Sequence, residues 1–393
     1  MATFWTAKNR VRYVFSRIID TVFSGYAGAD AARVVMKMDN LAQIEEAARK
    51  LMDPLVEAMV SAGVGDNVTT RWNREAYDQI GLAPRFMQDL STMNTEVELF
   101  GYKSPVPILL APTGFQKLLH PSGELEVVKA AGAKGVIPVI SNMTNTPLDV
   151  LLPASKTPLW FQIYYTGDRG RLADLVFQLK EGGCGALCLT IDTPSFGPRS
   201  DWGRPRTGFA SLYQKAKMAA SQRVMNQPLP HFKSEANGVY SGMAVTWDDV
   251  DWLKSISDLP LLLKGVLHPA DAHSAMQHGV DGLVVSNHGG RNLDTSIATL
   301  DALGPIVEAI DGRCPVLVDG GIRRGADILK ALALGARAVL IGRPYIYGLF
   351  LNGADGVEHV LSILERELKM AMLLTGQPHL GAIDTDILRY RGV

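Results

Sequence analysis

The chain is poor in cysteine, with three in 393 residues: Cys184, Cys188 and Cys314. An odd count without a paired framework argues against a disulfide-stapled secreted domain, and small apolar neighbours such as Gly185-Ala186-Leu187 mark these thiols as core filling. No C-x-x-C or H-E-x-x-H spacing occurs, so no metal is expected. No apolar run approaches the roughly 18 residues that span a bilayer. Val11 to Gly28 is apolar enough to resemble a signal peptide, but Arg17 and Asp20 interrupt its centre, and it reads as a helix on or near the surface. An excess of either charge is missing too: Lys plus Arg total 39 against 40 for Asp plus Glu, a net charge of −1. That balance supplies no global field for nucleic acid or an anionic membrane, so no nucleic-acid partner is expected and any membrane contact must be local. The expected location is cytoplasmic. No G-x-G-x-x-G follows a strand pattern, which disfavours a dinucleotide on a Rossmann unit.

What is present is ample core material, 47% hydrophobic against 20% charged residues. From residue 105 onward, short Leu-rich or β-branched runs alternate with amphipathic segments, the pattern of parallel βα units. The runs are Pro107–Pro112, Val136–Ser141, Leu159–Tyr165, Ala186–Asp192, Leu259–Val266, Asp281–Asn287, Pro315–Gly321 and Ala338–Pro344. Eight buried runs, each followed by a helical pattern, predict an α/β fold of the (β/α)8 TIM-barrel class, over a doubly wound sheet that more commonly stops at about five to seven strands. Residues 105–380 form this barrel. Residues 1–104 read as an N-terminal helical segment packed on the barrel, and 381–393 as a C-terminal tail. Six of the seven spacings between successive runs are 22 to 34 residues, but the fourth to the fifth takes 73. The long insertion after strand 4, residues 200–245, carries six Lys/Arg against two acids and reads as a lid. Its basic excess also allows peripheral contact with an anionic membrane.

Barrels of this class place their chemistry at the C-terminal strand ends. There the runs carry Thr113 and Gly114, Ser141, Gln162 and Tyr164, Thr190 and Asp192, Lys264, Ser286 and His288, Asp319 to Gly321, and Gly342 with Arg343. Strand alternation sends Gln162 with Tyr164, Thr190 with Asp192, and Ser286 with His288 to common faces. Asp319-Gly320-Gly321-Ile322-Arg323 opening a helix, followed by Gly342-Arg343, reads as a phosphate cradle of bare backbone, helix N-terminus and arginine. The plain alternative is that the glycines only make tight turns. His288, beside glycines and three residues before Arg291, is a candidate base, with Asp192 to steady the imidazolium and Arg291 to fix a carboxylate.

At these residues the sequence resembles the FMN-dependent α-hydroxy-acid oxidase and dehydrogenase family, of glycolate oxidase, lactate oxidase or monooxygenase, and mandelate dehydrogenase type. The resemblance covers roughly residues 40 to 380. It rests on Ala111-Pro112-Thr113-Gly114, Phe161-Gln162-Ile163-Tyr164, Leu189-Thr190-Ile191-Asp192-Thr193-Pro194, Leu263-Lys264-Gly265-Val266, Val285-Ser286-Asn287-His288-Gly289-Gly290-Arg291, Asp319-Gly320-Gly321 and Ile341-Gly342-Arg343-Pro344. It implies FMN as cofactor, a 2-hydroxy acid as substrate, oxygen or a quinone as electron acceptor, and a homo-oligomer, a tetramer. It further implies His288 as base with Asp192 behind it, Arg291 and Arg199 on the substrate carboxylate, Tyr164 on the α-hydroxyl, and Lys264 at the flavin N1–C2 carbonyl edge. Pro112, Thr113, Gly114, Ser141, Gln162, Thr190 and Ser286 would line the isoalloxazine and ribityl chain. Asp319, Gly320, Gly321, Arg323, Gly342 and Arg343 would hold the ribityl and phosphate.

Two positions depart from the family pattern and bear on the substrate pocket. Val60 stands where a tyrosine usually meets the carboxylate, and Asn142 where an aromatic residue commonly follows the serine ending strand two. Both imply a substrate bulkier than lactate. Arg199-Ser200-Asp201-Trp202-Gly203 also resembles a mycofactocin-associated branch, which keeps oxidation of an amine-bearing or otherwise modified substrate as an alternative. A third reading, from another class, is a barrel that binds a phosphorylated ligand without redox chemistry.

Overall fold

The structure, a computed structural model, describes residues 37–144, 146–165, 167–196, 233–234, 240–241 and 245–391. Among the described residues three helices come first, α1 (Leu41–Leu51), α2 (Pro54–Ser61) and α3 (Val68–Asp78), then β1 (Ile80–Leu82) and the hairpin of β2 (Val97–Leu99) and β3 (Tyr102–Ser104). Among the described residues before the barrel, helix is confined to the stretch from Leu41 to Asp78. The expected surface helix at Val11 to Gly28 lies outside the described residues.

All eight apolar runs are strands. In chain order they are β4 (Ile108–Leu110), β5 (Val139–Ser141), β6 (Trp160–Ile163), β7 (Ala186–Thr190) and then, past three short strands β8 (Ser195–Phe196), β9 (Lys233–Ser234) and β10 (Tyr240–Ser241), β11 (Leu261–Val266), β12 (Gly282–Val285), β13 (Val316–Val318) and β14 (Ala338–Ile341). Their pairing order is β4-β14-β13-β12-β11-β7-β6-β5, all parallel. A parallel bridge between Leu110 and Pro138, with Leu110 N donating to Ile137 O at 3.1 Å, joins the two edges. The sheet is thus a (β/α)8 barrel. Its helices are α4 (Glu124–Lys134), α5 (Leu148–Ala154), α6 (Arg169–Glu181), α7 (Trp247–Ile256), α8 (Pro269–Gln277), α9 (Thr299–Ile310), α10 (Gly325–Ala333) and α11 (Arg343–Leu374), the last broken by non-helical backbone at Asn352 and Gly353. Beyond α11, β15 (Leu388–Tyr390) pairs antiparallel with β1 and ties the two ends of the described chain together.

Strand alternation divides the core in two. One parity packs outward against the helices, as with Ile108, Leu110, Ile140, Phe161, Ile163, Leu187 and Leu189. The other parity fills the barrel with Leu109, Val139, Trp160, Cys188, Leu262, Val284, Leu317 and Leu340. The β2–β3 hairpin inserts Val97, Leu99 and Phe100 among these interior residues, the Phe100 ring lying 5.5 Å from that of Trp160. That plug closes the end where the strands begin, and leaves the opposite end for polar groups. Cys184 and Cys188 are buried and unpaired, as core thiols should be.

Between β7 and α7, strands β8, β10 and β9 form a small antiparallel sheet. The remainder of the insertion, with Arg199 and the expected lid, lies outside the described residues.

Candidate active site

Following the interior parity toward the strand ends converts apolar filling into a polar layer. Trp160 leads to Gln162, Cys188 to Thr190, Leu262 to Lys264, Val284 to Ser286 and Leu317 to Asp319, and all five polar residues are buried. Burial demands partners, and the layer supplies them. Ser141 Oγ donates to Gln162 Oε1 (2.9 Å), and Gln162 Nε2 donates to Thr190 Oγ1 (2.9 Å). Asn142, also buried, donates its backbone N–H to the Gln162 carbonyl at 2.9 Å. Lys264 Nζ donates to Ser286 Oγ (2.8 Å) and pairs with Asp319 Oδ2 at 3.2 Å. Burial opposes the charge on Lys264, but the Asp319 and Asp192 carboxylates outweigh it and hold its pKa above the ordinary 10.5.

Above this layer stand Asp192, His288 and Tyr164. His288 Nδ1 lies 2.9 Å from Asp192 Oδ1, and its Nε2 lies 3.2 Å from the Tyr164 hydroxyl. A carboxylate only accepts, so the ring proton sits on Nδ1 and the Nε2 lone pair faces the mouth-side phenol. Burial opposes ionisation of Asp192, yet His288, Lys264 and the Thr193 hydroxyl hold its carboxyl below the ordinary value. For His288 burial is the largest influence and pulls its pKa below the usual 6.5, Asp192 opposing and Lys264 and Arg291 assisting. His288 itself has φ +58°, a left-handed conformation uncommon for a residue with a Cβ. Its backbone N–H donates to Ser286 Oγ at 3.1 Å.

The turn that follows answers why glycine is needed there. Gly290, at φ +75°, receives α3 so closely that an added Cβ would strike the backbone and hydroxyl of Thr70. An added Cβ at Gly321, φ +80°, would likewise run into the Asn73 carbonyl. These glycines admit a helix of the protein itself. Gly342 differs: its φ is −110°, and a Cβ there would approach protein atoms no closer than 3.9 Å. Packing among the described residues does not call for glycine at the start of α11. An anion held against bare backbone at a helix N-terminus would.

The arginines are placed less simply than the sequence implies. Arg291 Nη1 donates to the carbonyls of Met59 (3.1 Å) and Ala62 (2.8 Å). Arg343 donates to the carbonyls of Val60 (2.9 Å), Gly289 (3.0 Å) and Ala62 (3.2 Å). Both therefore satisfy carbonyls at the C-terminal end of α2, where a cation is also favoured by the helix dipole. Arg323 Nε pairs with Glu45 of α1 at 3.1 Å. Val60 meets this cluster through its carbonyl, and its side chain is buried in the apolar core. At the end of β4, Pro112 and Gly114 flank Thr113, whose hydroxyl meets Tyr345 Oη.

Several contributors were not read from the sequence. Asn73 of α3 and Asn287, both buried, exchange amide hydrogen bonds at 2.9 and 2.8 Å, and Asn73 Oδ1 also accepts from Thr299 N at 3.2 Å. The pair joins the segment before the barrel to the residue preceding His288. Asn292 and Thr193 surround Asp192, and buried Asp327 accepts from the N–H groups of Arg323 (2.9 Å) and Arg324 (3.0 Å), fixing the turn into α10. Thr193 and Asn287 lie inside quoted motifs without a role assigned to them, Asn292 and Asp327 lie close to marked residues, and nothing local in the sequence marks Asn73.

A family model described as FMN-dependent dehydrogenase matches residues 48–390. The chain is 41% identical over 359 residues to an L-lactate oxidase of Nostoc sp., covering 89% of this chain and 97% of that protein. It is 38% identical over 350 residues to a 4-hydroxymandelate oxidase of Amycolatopsis orientalis, covering 87% and 96%. Among solved structures, a mandelate oxidase superposes with a TM-score of 0.79 at 34% identity, over 91% of this chain and all of that one.

Proposed function

The chain belongs to the FMN-dependent dehydrogenase family, and on that premise we propose that it oxidises a 2-hydroxy acid to the 2-keto acid on a bound FMN. One observation carries the reading: an imidazole whose Nδ1 is held by a buried carboxylate and whose Nε2 faces a phenol, directly above a buried Lys264–Asp319 pair.

The residues present suit FMN. Asp319 Oδ1 is buried without a hydrogen-bond partner among the described residues, an acceptor awaiting a donor such as a ribityl hydroxyl. Gly342 offers bare backbone to the phosphate at the start of α11. The Ser141–Gln162–Thr190 chain and Lys264 present amide, hydroxyl and ammonium groups to the polar rim of a flavin ring, the cation being suited to stabilise negative charge. Bound there, FMN supplies the two-electron acceptor. The protein's own part is to hold and deprotonate the substrate. Tyr164 hydrogen-bonds the α-hydroxyl, Arg291 and Arg199 fix the carboxylate, and His288 Nε2 accepts the proton while Asp192 stabilises the resulting imidazolium. Denaturing the purified protein should release FMN in near-stoichiometric amount. Release of FAD, or no flavin after reconstitution, overturns the cofactor assignment.

For the substrate we favour an acid bulkier than lactate. Hydroxymandelate and mandelate oxidases are among the relatives, and Val60 supplies no phenol where the family pattern has a tyrosine. The L-lactate oxidase relative supplies the competing case. Mandelate is expected to reduce the bound flavin faster than lactate does in anaerobic stopped-flow; the opposite ratio ends this account of specificity. The relatives named are oxidases, which favours oxygen over a quinone as acceptor. Family membership leaves the amine-bearing substrate and the non-redox barrel without support.

A further inference from the structure

One polar side chain outside the roles above reaches the carboxylate that backs His288. Asn292 Nδ2 donates to the Asp192 carbonyl oxygen (2.7 Å), to Thr193 Oγ1 (2.9 Å) and to Asp192 Oδ1 (3.2 Å). Thr193 Oγ1 donates in turn to Asp192 Oδ1 at 3.0 Å and lies 3.5 Å from His288 Nδ1. Asp192 Oδ1 is thus shared by His288, Thr193 and Asn292, while Oδ2 is buried with no partner among the described residues.

We propose that Asn292 is a positioning residue for the oxidation, clamping Asp192 by main chain and side chain so that Oδ1 faces His288 Nδ1, and restraining the basicity of the imidazole by competing for that oxygen. The inference deepens the reading of His288 as base and rests on it. Two physical points support it. An amide that bridges the carbonyl and the carboxylate of one aspartate restricts the rotamer of that carboxylate, and His288 needs one orientation to keep its proton on Nδ1. Each further donor to Oδ1 also withdraws charge that would otherwise stabilise the imidazolium, so the competing donors keep the ring neutral to lower pH. The other groups facing His288 are Lys264 and Arg291, both cationic, and Tyr164 at Nε2. Arg291 precedes Asn292 in the chain, but its guanidinium is held by the Met59 and Ala62 carbonyls, a hold that removing the Asn292 amide leaves in place.

The test uses the FMN-loaded enzyme with isotope-labelled histidine. The His288 ring resonance is assigned by its loss in His288→Gln, and its titration midpoint is compared among wild type, Asn292→Leu and Thr193→Val. Asn292→Leu keeps the volume and removes the donor. Thr193→Val removes the neighbouring donor with little change of shape, and serves if the first variant folds poorly. Both midpoints are expected to rise by roughly 0.5 to 1 pH unit, the scale of one lost hydrogen bond to the charged partner. The acid limb of anaerobic flavin reduction should move by the same amount. A midpoint that stays or falls in both variants overturns the proposal. A midpoint that rises while the reaction limb stays put instead overturns His288 as the base, and leaves the hold of Asn292 on Asp192 standing.

Discussion

His288→Ala is expected to slow anaerobic flavin reduction by a factor on the order of 10² to 10⁴, the usual range for losing a general base, while FMN stays bound. The separation of the two effects follows from the geometry. The His288 ring sits above the polar layer, on Asp192 and Tyr164, whereas the groups assigned to the cofactor lie at the ends of β4, β5, β6, β7, β11, β12, β13 and β14. Ser286 shares the β12 end with His288, but it is held there by the His288 backbone N–H, which alanine keeps. Because burial pulls the His288 pKa below its ordinary 6.5, the neutral, proton-accepting form persists to lower pH than for a free histidine. Wild-type reduction should therefore decline on acidification at a lower pH than the titration of a free imidazole would set, and the decline should vanish in the variant. Stopped-flow bleaching of the flavin band across pH reads both outcomes. Near-normal reduction in His288→Ala would remove histidine from the mechanism.

Lys264→Met is expected to destabilise the protein by about 3–5 kcal/mol, the cost of leaving one member of a buried ion pair without its partner. Lys264 and Asp319 are 3% and 8% exposed and 3.2 Å apart, and the second Asp319 oxygen already lacks a hydrogen bond among the described residues. The methionine therefore strands a carboxylate inside the barrel. Adding Asp319→Asn removes that charge, and the double variant should recover a large part of the loss. Denaturant midpoints of the single and double variants make the comparison. If the double variant is as unstable as the single, the ion pair is not what the lysine contributes. FMN affinity should fall in both, since both take a cation away from the flavin rim.

The eight strands, their order along the chain and the shared faces of Gln162 with Tyr164, Thr190 with Asp192 and Ser286 with His288 are legible in the sequence. Each depends on local rules: a buried parallel strand is continuously apolar, and side chains alternate with a period of two. That period alone carries Cys188 to Thr190 and Asp192, and Val284 to Ser286 and His288, so the polar layer and the His288–Asp192 pair followed from spacing plus the rule that barrels work at their C-terminal ends. The same rules say nothing about which distant segment fills a gap. Residues 80–104 read as helical, yet they form β1 and the hairpin whose Val97, Leu99 and Phe100 plug the barrel, because burial in the open barrel end outweighs local propensity. Only the folded chain brings Asn73 to Asn287, aims Arg291 and Arg343 at the end of α2, and shows that Gly321 makes room for a helix whereas Gly342 does not. A motif names the residue types a site requires, but hydrogen-bond partners hundreds of positions apart are selected by closure of the barrel and the packing of its covering helices. Those are properties of the assembled tertiary structure and of no window of sequence.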